Sequence, residues 1–385
     1  MATVTEDIFT VGGWEADGWD SFSRVSDLHF DRSGNLLILD GQNRLVVVGS
    51  DGAFLRQISR PGDGPGEFRR VGAVAAYRGG RIVARDFGQR AFLVFEEDGR
   101  FVESFPDLSG TSRSSTVSTS EGNFVTSGGI ISDFLHALPD GRVLVEGESA
   151  SSPEQSVRAL DVYEPGREQE IFYLAWDLPP AAASTSLPPA GSVQASIVRA
   201  QSGTRAFSPR LHADVLSDGR IALVDSIGYR VKLLTPAGTV QRTLERSVSP
   251  VPVTEEIREA ERRRMAATMQ VMVRGGGPRA TSPQVAEQLR QSLLAQVTFA
   301  EEIPVISGLA VDSEDRIWVQ RWGSDGISVG DTDILTADGS YVGTLSAEEL
   351  RLPRAFGPSG LMAYVESDEM EVPVVRVVRL LAFDR

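Results

Sequence analysis

The segment VSDLHFDRSGNLLILDGQNRLVVVGSDGAFLRQI, residues 25–58, decides the fold. Its short runs of Val, Leu, Ile and Phe are separated by three turn pairs: Ser33-Gly34, Asp40-Gly41 and Asp51-Gly52. Apolar runs bounded by such pairs are typical of strands joined by tight turns, because these residue pairs adopt turn conformations easily. The segment therefore predicts four consecutive antiparallel strands.

The same four-strand pattern recurs through the chain. Five further copies, some clean and some loose, occupy 71–105, 133–174, 211–244, 306–345 and 360–384. Four short strands per repeat, at a period of about 35–45 residues, are typical of propeller blades. We therefore predict an all-β fold, a single six-bladed β-propeller domain over residues 1–385. Two stacked β-sandwich domains are the alternative, but a sandwich has no reason to repeat the spacing of its turns.

The sixth copy contains two good strands and lacks its last one. The N-terminal residues 6–13, with the sequence EDIFTVGG, can supply the missing outer strand beside 374–382. This pairing would close the ring and remove the exposed strand edges that otherwise promote aggregation. We expect residues 6–13 to be the ring-closing strand.

The composition excludes several classes of function. A net charge of −15 and a pI near 4.8 disfavour nucleic acid and anionic membrane surfaces, whose phosphates need a basic face. The absence of cysteine removes disulfides, thiolate metal sites and cysteine nucleophiles. No apolar run reaches the roughly 18 residues that a membrane-spanning helix needs. We expect a monomer without a transmembrane segment.

Three segments carry a resemblance to a known family: FDRSGNLLILDGQNRLVVV (30–48), YRGGRIVARDFGQRAFLVF (77–95) and LSDGRIALVDSIGYRVKLL (216–234). Each has an apolar strand that ends in Asp after a glycine turn, followed by an Arg-led strand. This pattern resembles NHL-type six-bladed propellers, and among them the exported propeller proteins of bacterial envelopes. The resemblance implies a periplasmic or extracellular location, with a leader outside this chain, although a cytoplasmic location is also compatible. Such motifs specify the fold and not the activity.

The stretch RPGDGPGEFRR, residues 60–70, has the glycine density of a phosphate-binding loop. A dinucleotide fingerprint needs G-x-G-x-x-G after a strand and at the start of a helix. Here Pro65 interrupts the glycines, and the next segment, VGAVAA, reads as a strand. The stretch therefore predicts a connection between blades 1 and 2 instead of a nucleotide site.

Long insertions follow the outer strands of three blades. Residues 106–129, 177–210 and 246–304 each connect an outer strand to the next inner strand, so all three emerge on one face of a propeller. Loops on rigid scaffolds often carry function, and we expect this face to bind a small molecule or a protein partner. The last insertion predicts an α-helical hairpin between blades 4 and 5, with helices over 254–273 and 282–299, that caps the channel.

The three histidines of the chain all fall in predicted inner strands. His29 and His136 lie five residues before a turn glycine, and His212 lies seven before one. With Asp27 and Asp214 they share one strand parity, so their side chains face the same way. The pattern predicts either a divalent metal site, for example for zinc, or structural histidines. The peptidyl-hydroxyglycine amidating lyases are similar, since they are NHL-like propellers with a zinc on three histidines.

That resemblance implies a metal-dependent lyase or hydrolase as the alternative to a binding protein, although this chain lacks the cysteines of those lyases. Arg321 is a further candidate, because it occupies the position at which other blades have aspartate. An arginine there could bind a ligand carboxylate, or it could have a purely structural role.

Overall fold

The computed structural model describes residues 1–108, 114–119, 122–127, 134–152, 155–177, 205–274, 291, 294–295 and 297–384. Within these residues, six four-stranded sheets form, each made of strands that pair antiparallel with their neighbours. The predicted all-β, six-bladed propeller is therefore confirmed. No helix among the described residues is long and apolar enough to cross a membrane.

The first half of the chain forms three blades. Strand β1 (Ala2–Gly12) comes first, followed by blade 1, which comprises β2 (Val25–Phe30), β3 (Leu36–Asp40), β4 (Arg44–Val48) and β5 (Phe54–Ile58). Blade 2 comprises β6 (Val71–Ala76), β7 (Ile82–Asp86), β8 (Ala91–Phe95) and β9 (Phe101–Pro106). A hairpin of β10 (Ser114–Thr119) and β11 (Gly122–Ser127) precedes blade 3, which comprises β12 (Leu135–Ala137), β13 (Val143–Ser152), β14 (Gln155–Tyr163) and β15 (Glu170–Asp177).

The second half forms the other three blades. After β16 (Arg205–Ala206), blade 4 comprises β17 (His212–Val215), β18 (Ile221–Val224), β19 (Arg230–Leu234) and β20 (Val240–Glu245). The connection to blade 5 contains β21 (Val251–Pro252), helix α1 (Glu255–Arg274), β22 (Thr298–Phe299) and β23 (Glu302–Ile303). Blade 5 comprises β24 (Ile306–Val311), β25 (Ile317–Trp322), β26 (Val329–Leu335) and β27 (Tyr341–Leu345). Blade 6 comprises β28 (Ala355–Phe356), a 3-10 turn (Pro358–Gly360), β29 (Leu361–Ser367) and β30 (Pro373–Asp384), with β1 at its outer edge.

Strand β1 is the outer strand of the sixth sheet. It runs antiparallel to β30, with pairs that extend from Ala2 with Asp384 to Gly12 with Val374. The N–H of Gly13 continues the contact by donating to the carbonyl of Pro373 at 3.0 Å. The edge of β30 is therefore covered by a strand from the opposite end of the chain.

All six blades share one turn after the inner strand. In each, the first turn residue donates its N–H to the carbonyl oxygen four residues later: Asp31, Tyr77, Leu138, Leu216, Asp312 and Gly357. The fourth turn residue has a positive φ in every blade, which explains the recurrent glycine: Gly34, Gly80, Gly141, Gly219, Asp315 and Gly360. We call the face that carries these turns the turn face, and the opposite face, where blades are connected, the insertion face.

The apolar core lies between neighbouring blades. Leu36 and Ile38 of β3 pack with blade 6, whereas Leu37 and Leu39 pack with blade 2. Because both faces of the strand are buried, its sequence is a continuous apolar run and not an alternating one. Each fully buried side chain of this kind stabilises the fold by roughly 1.5–3 kcal/mol. The rigid inner strands that line the channel depend on this packing.

The glycine-rich stretch at 60–70 is a closed connection between β5 and β6. Glu67 accepts hydrogen bonds from Arg60 Nε at 2.8 Å and from the N–H of Gly64 at 2.9 Å. The N–H of Gly62 donates to the carbonyl of Phe68 at 3.0 Å, and the Phe68 side chain is fully buried. The predicted interblade connection is confirmed.

Of the helical hairpin predicted in this insertion, the described residues show the first helix in full and helical backbone at 291, 294 and 295 within the second. Helix α1 matches the first predicted helix, and the N–H of Arg258 donates to the carbonyl of Thr254 at 3.0 Å. Much of the second predicted helix, 282–299, lies outside the described residues. Its end, Thr298–Phe299, is instead strand β22, which pairs in parallel with β16. Strand β16 belongs to the insertion before blade 4. The sequence of one insertion gives no sign that it pairs with another.

Candidate functional site

The shared turn provides a common frame for the channel. The residues two positions before each turn form what we call the lower layer: His29, Ala75, His136, Asp214, Ala310 and Ala355. The residues four positions before each turn form the upper layer, nearer the insertion face: Asp27, Ala73, Phe134, His212, Gly308 and Pro353. Two residues of strand span roughly 6–7 Å. Asp214, and not His212, is therefore level with His29 and His136.

The lower layer brings His136 and Asp214 together. Nδ1 of His136 lies 3.2 Å from Oδ1 of Asp214, across the boundary between blades 3 and 4. The ring of Phe134 packs against the imidazole, with 4.6 Å between the two ring centroids. Both the position and the orientation of the His136 ring are thus held by neighbours.

Asp214 is itself fixed by the backbone. Its Oδ1 accepts the N–H of Val215 and its Oδ2 accepts the N–H of Val311 in blade 5, each at 2.7 Å. Burial raises the pKa of this carboxyl group, while nearby His136 and the two backbone hydrogen bonds act in the opposite direction. Asp214 therefore links three blades and presents a fixed acceptor to His136.

Asp27 has a comparable structural role in blade 1. Its Oδ1 accepts the N–H of Leu28, and its Oδ2 accepts the N–H of Val74 in blade 2, both at 2.9 Å. Nη2 of Arg354 lies 3.8 Å from Oδ1 and also donates to the carbonyl of Ser26 at 3.1 Å. Asp27 thus connects the inner strands of blades 1 and 2 with an arginine of blade 6.

His29 lies close enough to His136 for the two to interact electrostatically. Burial lowers the pKa of His29 from 6.5 to about 4, and His136 adds to this effect while Asp31 opposes it. The intervening residue of blade 2 is Ala75, which is fully buried and whose small side chain lets the two rings approach. His29 is therefore a neutral imidazole at neutral pH.

His212 has different surroundings. Burial lowers its pKa from 6.5 to about 4, and the nearby Arg210 and Arg158 lower it further. Arg158 also approaches Glu146, with 3.3 Å between Nε and Oε1, and donates to the carbonyl of Pro209. His212 thus lies among arginines that disfavour a bound cation.

The structure brings His29, His136 and Asp214 together in one layer, with His212 one level above. Among the described residues, no group of three or more His, Asp or Glu side chains has an arrangement that could hold a metal ion. The three-histidine site, with Asp27 or Asp214 as a further ligand, therefore stays a prediction without support from the side-chain geometry.

Arg321 occupies the predicted position but is already paired. In β24–β25 it lies opposite Ile306, as Asp40 lies opposite Val25 in blade 1. Its Nη2 donates to Asp331 at 3.2 Å, and its Nε lies 3.4 Å from Asp333. A ligand carboxylate would have to compete with both, so these contacts favour the structural alternative.

The insertions on either side of blade 4 meet in a surface that the sequence did not reveal. Strand β16 pairs with β22, and the N–H of Ala300 donates to the carbonyl of Ala206 at 3.0 Å. From α1, the guanidinium groups of Arg258 and Arg262 lie 5.9 and 5.0 Å from the centre of the Phe299 ring. We call residues 205–206, these two arginines and residues 298–300 the insertion junction. It lies on the insertion face.

Polar contacts cross the opposite end of the channel. Nη2 of Arg78, in the first turn of blade 2, donates to the carbonyl of Ser217, in the first turn of blade 4. The N–H of Ser217 donates in turn to Asp315 of blade 5 at 2.6 Å. Because blades 2 and 4 are not neighbours, this contact narrows the channel at the turn face.

Solved structures share this fold at low sequence identity. A predicted exported protein from Bacteroides fragilis is 13% identical, with 98% of this chain and 97% of that chain covered and a TM-score of 0.50. A DUF4221 family member from Bacteroides vulgatus is 9% identical, with 99% of both chains covered and a TM-score of 0.49. Streptogramin B lyase is 10% identical, with 98% of both chains covered and a TM-score of 0.42. No protein-family model and no curated protein matches the sequence. The chain is a six-bladed β-propeller that resembles exported and NHL-like propellers.

Proposed function

We propose that this chain is an exported propeller that binds a small ligand or a protein partner on its insertion face. The insertion junction is the observation that carries this proposal. Two insertions that precede and follow blade 4 are joined by strand pairing and by arginines packed on Phe299. Loops that merely tolerate extra residues have no need of such contacts.

The fold supports export. A predicted exported protein from Bacteroides fragilis shares the architecture, and the absence of cysteine is compatible with an oxidising compartment as well as with the cytoplasm. Neither feature names a ligand, so the binding face has to be tested directly.

Excision of the insertion tests the proposal. Pro252 pairs with Glu302 in an antiparallel bridge between β21 and β23, so a short Gly-Ser turn can replace residues 254–300. We expect the excised variant to keep its six blades, measured as an unchanged β-sheet circular dichroism signal. A small-molecule thermal-shift screen should then find compounds that stabilise the parent chain and not the excised variant.

A matched control comes from the turn face. Asp140 is exposed there, and its partner Arg142 is two residues away, so Asp140→Ala should leave the insertion face intact. Compounds that stabilise the parent, the control and the excised variant equally would place the binding site elsewhere and contradict the proposal.

The metal-dependent lyase or hydrolase stays the second hypothesis from the sequence. His29 and His136 share a layer, but His136 already contacts Asp214 through Nδ1. Elemental analysis of the purified chain tests it, since a stoichiometric divalent metal that is lost in His136→Leu would support it.

A further inference from the structure

The lower layer has two unlike halves. His29, His136 and Asp214 form a polar arc over blades 1 to 4, with buried Ala75 between the histidines. Blades 5 and 6 contribute only the half-buried methyl groups of Ala310 and Ala355. A few placed polar groups opposite an apolar wall are typical of small-molecule pockets.

His136 offers a hydrogen-bond acceptor to this space. Asp214 can only accept hydrogen bonds when ionised, so its contact with Nδ1 favours the tautomer that carries the proton there. In that tautomer Nε2 has a lone pair, and it has no hydrogen-bond partner among the described residues. The side chain is 25% exposed, so a small molecule can reach it.

The charges around the layer disfavour an anionic ligand. The carboxylates of Asp27, Asp31 and Asp214 lie in or next to the inner strands, and the guanidinium of Arg354 is held by Asp27 and the carbonyl of Ser26. An ammonium group is also a poor fit, because it needs three acceptors. Both oxygens of Asp27 and of Asp214 already accept backbone N–H groups.

We propose that the lower layer is the polar end of a pocket for a small uncharged molecule, whose hydroxyl group donates a hydrogen bond to Nε2 of His136. The ligand's compact apolar body contacts Ala310 and Ala355. Because the Arg78–Ser217 contact narrows the turn face, the ligand enters from the insertion face. This assignment rests on the small-ligand form of the function proposed above and names its chemical class.

Phenol is the probe, and the three histidines make its binding easy to locate. The full chain labelled with ¹⁵N-histidine has only three imidazole rings to assign. We expect phenol in the millimolar range to shift the Nε2 signal of His136 in a saturable way and to leave His212 unchanged. Toluene, which lacks the donor, should bind roughly tenfold more weakly. Benzoate should not bind at the layer, because of its charge.

Each outcome decides the assignment. A saturable shift at His136 with phenol favoured over toluene and benzoate supports it, and His136→Leu should abolish the preference for phenol over toluene. Binding centred on His212, no saturable shift at any histidine, or equal affinity for phenol and benzoate would overturn it. If the thermal-shift hits still depend on the insertion while phenol fails at His136, the proposed binding face stands and this pocket does not.

Discussion

Replacement of Asp161 by asparagine should stabilise the protein at neutral pH. Asp161 is 1% exposed between blades 2 and 3. Its Oδ2 accepts a hydrogen bond from Gln169 at 2.6 Å, but its Oδ1 has no hydrogen-bond partner among the described residues. Burial raises the pKa of this carboxyl group from 3.8 to about 6; Gln169 and Arg85 oppose this shift, and Asp107 adds to it.

The magnitude follows from that pKa. The unfolded chain releases the Asp161 proton near pH 3.8, whereas the folded chain keeps it until about pH 6. Between these values the folded state binds more protons than the unfolded state, so its stability falls as the pH rises. The full penalty above pH 6 is about 3 kcal/mol, and it vanishes below about pH 4. Asparagine carries no charge, so Asp161→Asn should recover most of this amount.

Asp107→Asn is the matched control with the opposite sign. Asp107 Oδ2 accepts a hydrogen bond from Arg85 Nε at 2.8 Å, and the two side chains are 3% and 0% exposed. Replacing this carboxylate by a neutral amide breaks a buried ion pair and should destabilise the fold by about 3–5 kcal/mol. Urea denaturation of the parent and both variants, at about pH 4 and pH 7, measures these differences. The reasoning is refuted if Asp161→Asn is as destabilising as Asp107→Asn near pH 7, or if its effect does not change with pH.

Two further predictions concern the ring and the histidines. Deletion of residues 1–12 should lower the melting temperature well beyond the effect of trimming a loose tail, because it exposes the edge of β30; an unchanged thermal melt would contradict this. Acidification should destabilise the fold by up to about 3 kcal/mol through each of His29 and His212, because the unfolded chain takes up their protons near pH 6.5 and the folded chain only near pH 4. Denaturant titrations at several pH values measure how the free energy of unfolding depends on pH. His212→Gln should reduce this dependence, and an equal dependence in parent and variant would contradict the lowered pKa of His212.

The blades could be predicted because their signals are local. Each turn requires a residue that tolerates positive φ at its fourth position, and this requirement places glycine at a constant distance from the inner strand. Strand periodicity then assigns side chains to a face without any knowledge of the partner strands. For the same reason, the equal distance of His29 and His136 from their turn glycines was enough to place both at one level.

The third member of that level, Asp214, follows from the same spacing. Asp214 lies five residues before Gly219, the same offset as that of His29 and His136 from their glycines. His212 lies seven residues before the same glycine, and this larger offset places it one level higher. The contact between His136 and Asp214 joins two blades, and sequence spacing within a blade carries no information about it.

The insertion junction and the pairing of Arg321 were out of reach for a similar reason. Strand β22 forms because Arg205–Ala206, from another insertion, lies beside it, and the local sequence of residues 282–299 contains no information about that neighbour. Arg321 stands where an aspartate is expected, and its partners Asp331 and Asp333 lie on the next strand of the same blade. Both the strand conformation of β22 and the ion pairs of Arg321 depend on residues that are neighbours only in the folded chain.

The pairing of β1 with β30 also constrains the order in which the molecule can assemble. Of the strands described, β1 is made earliest and β30 last, yet Ala2 pairs with Asp384. During synthesis β1 therefore stays unpaired until the five blades that precede β30 have been made. Leu36 and Ile38 likewise cannot pack against blade 6 until that blade has been made. Contacts between residues so distant in the chain slow folding, because a long loop must close before they form. During synthesis, the first and sixth blades therefore each expose an apolar surface until the two ends meet.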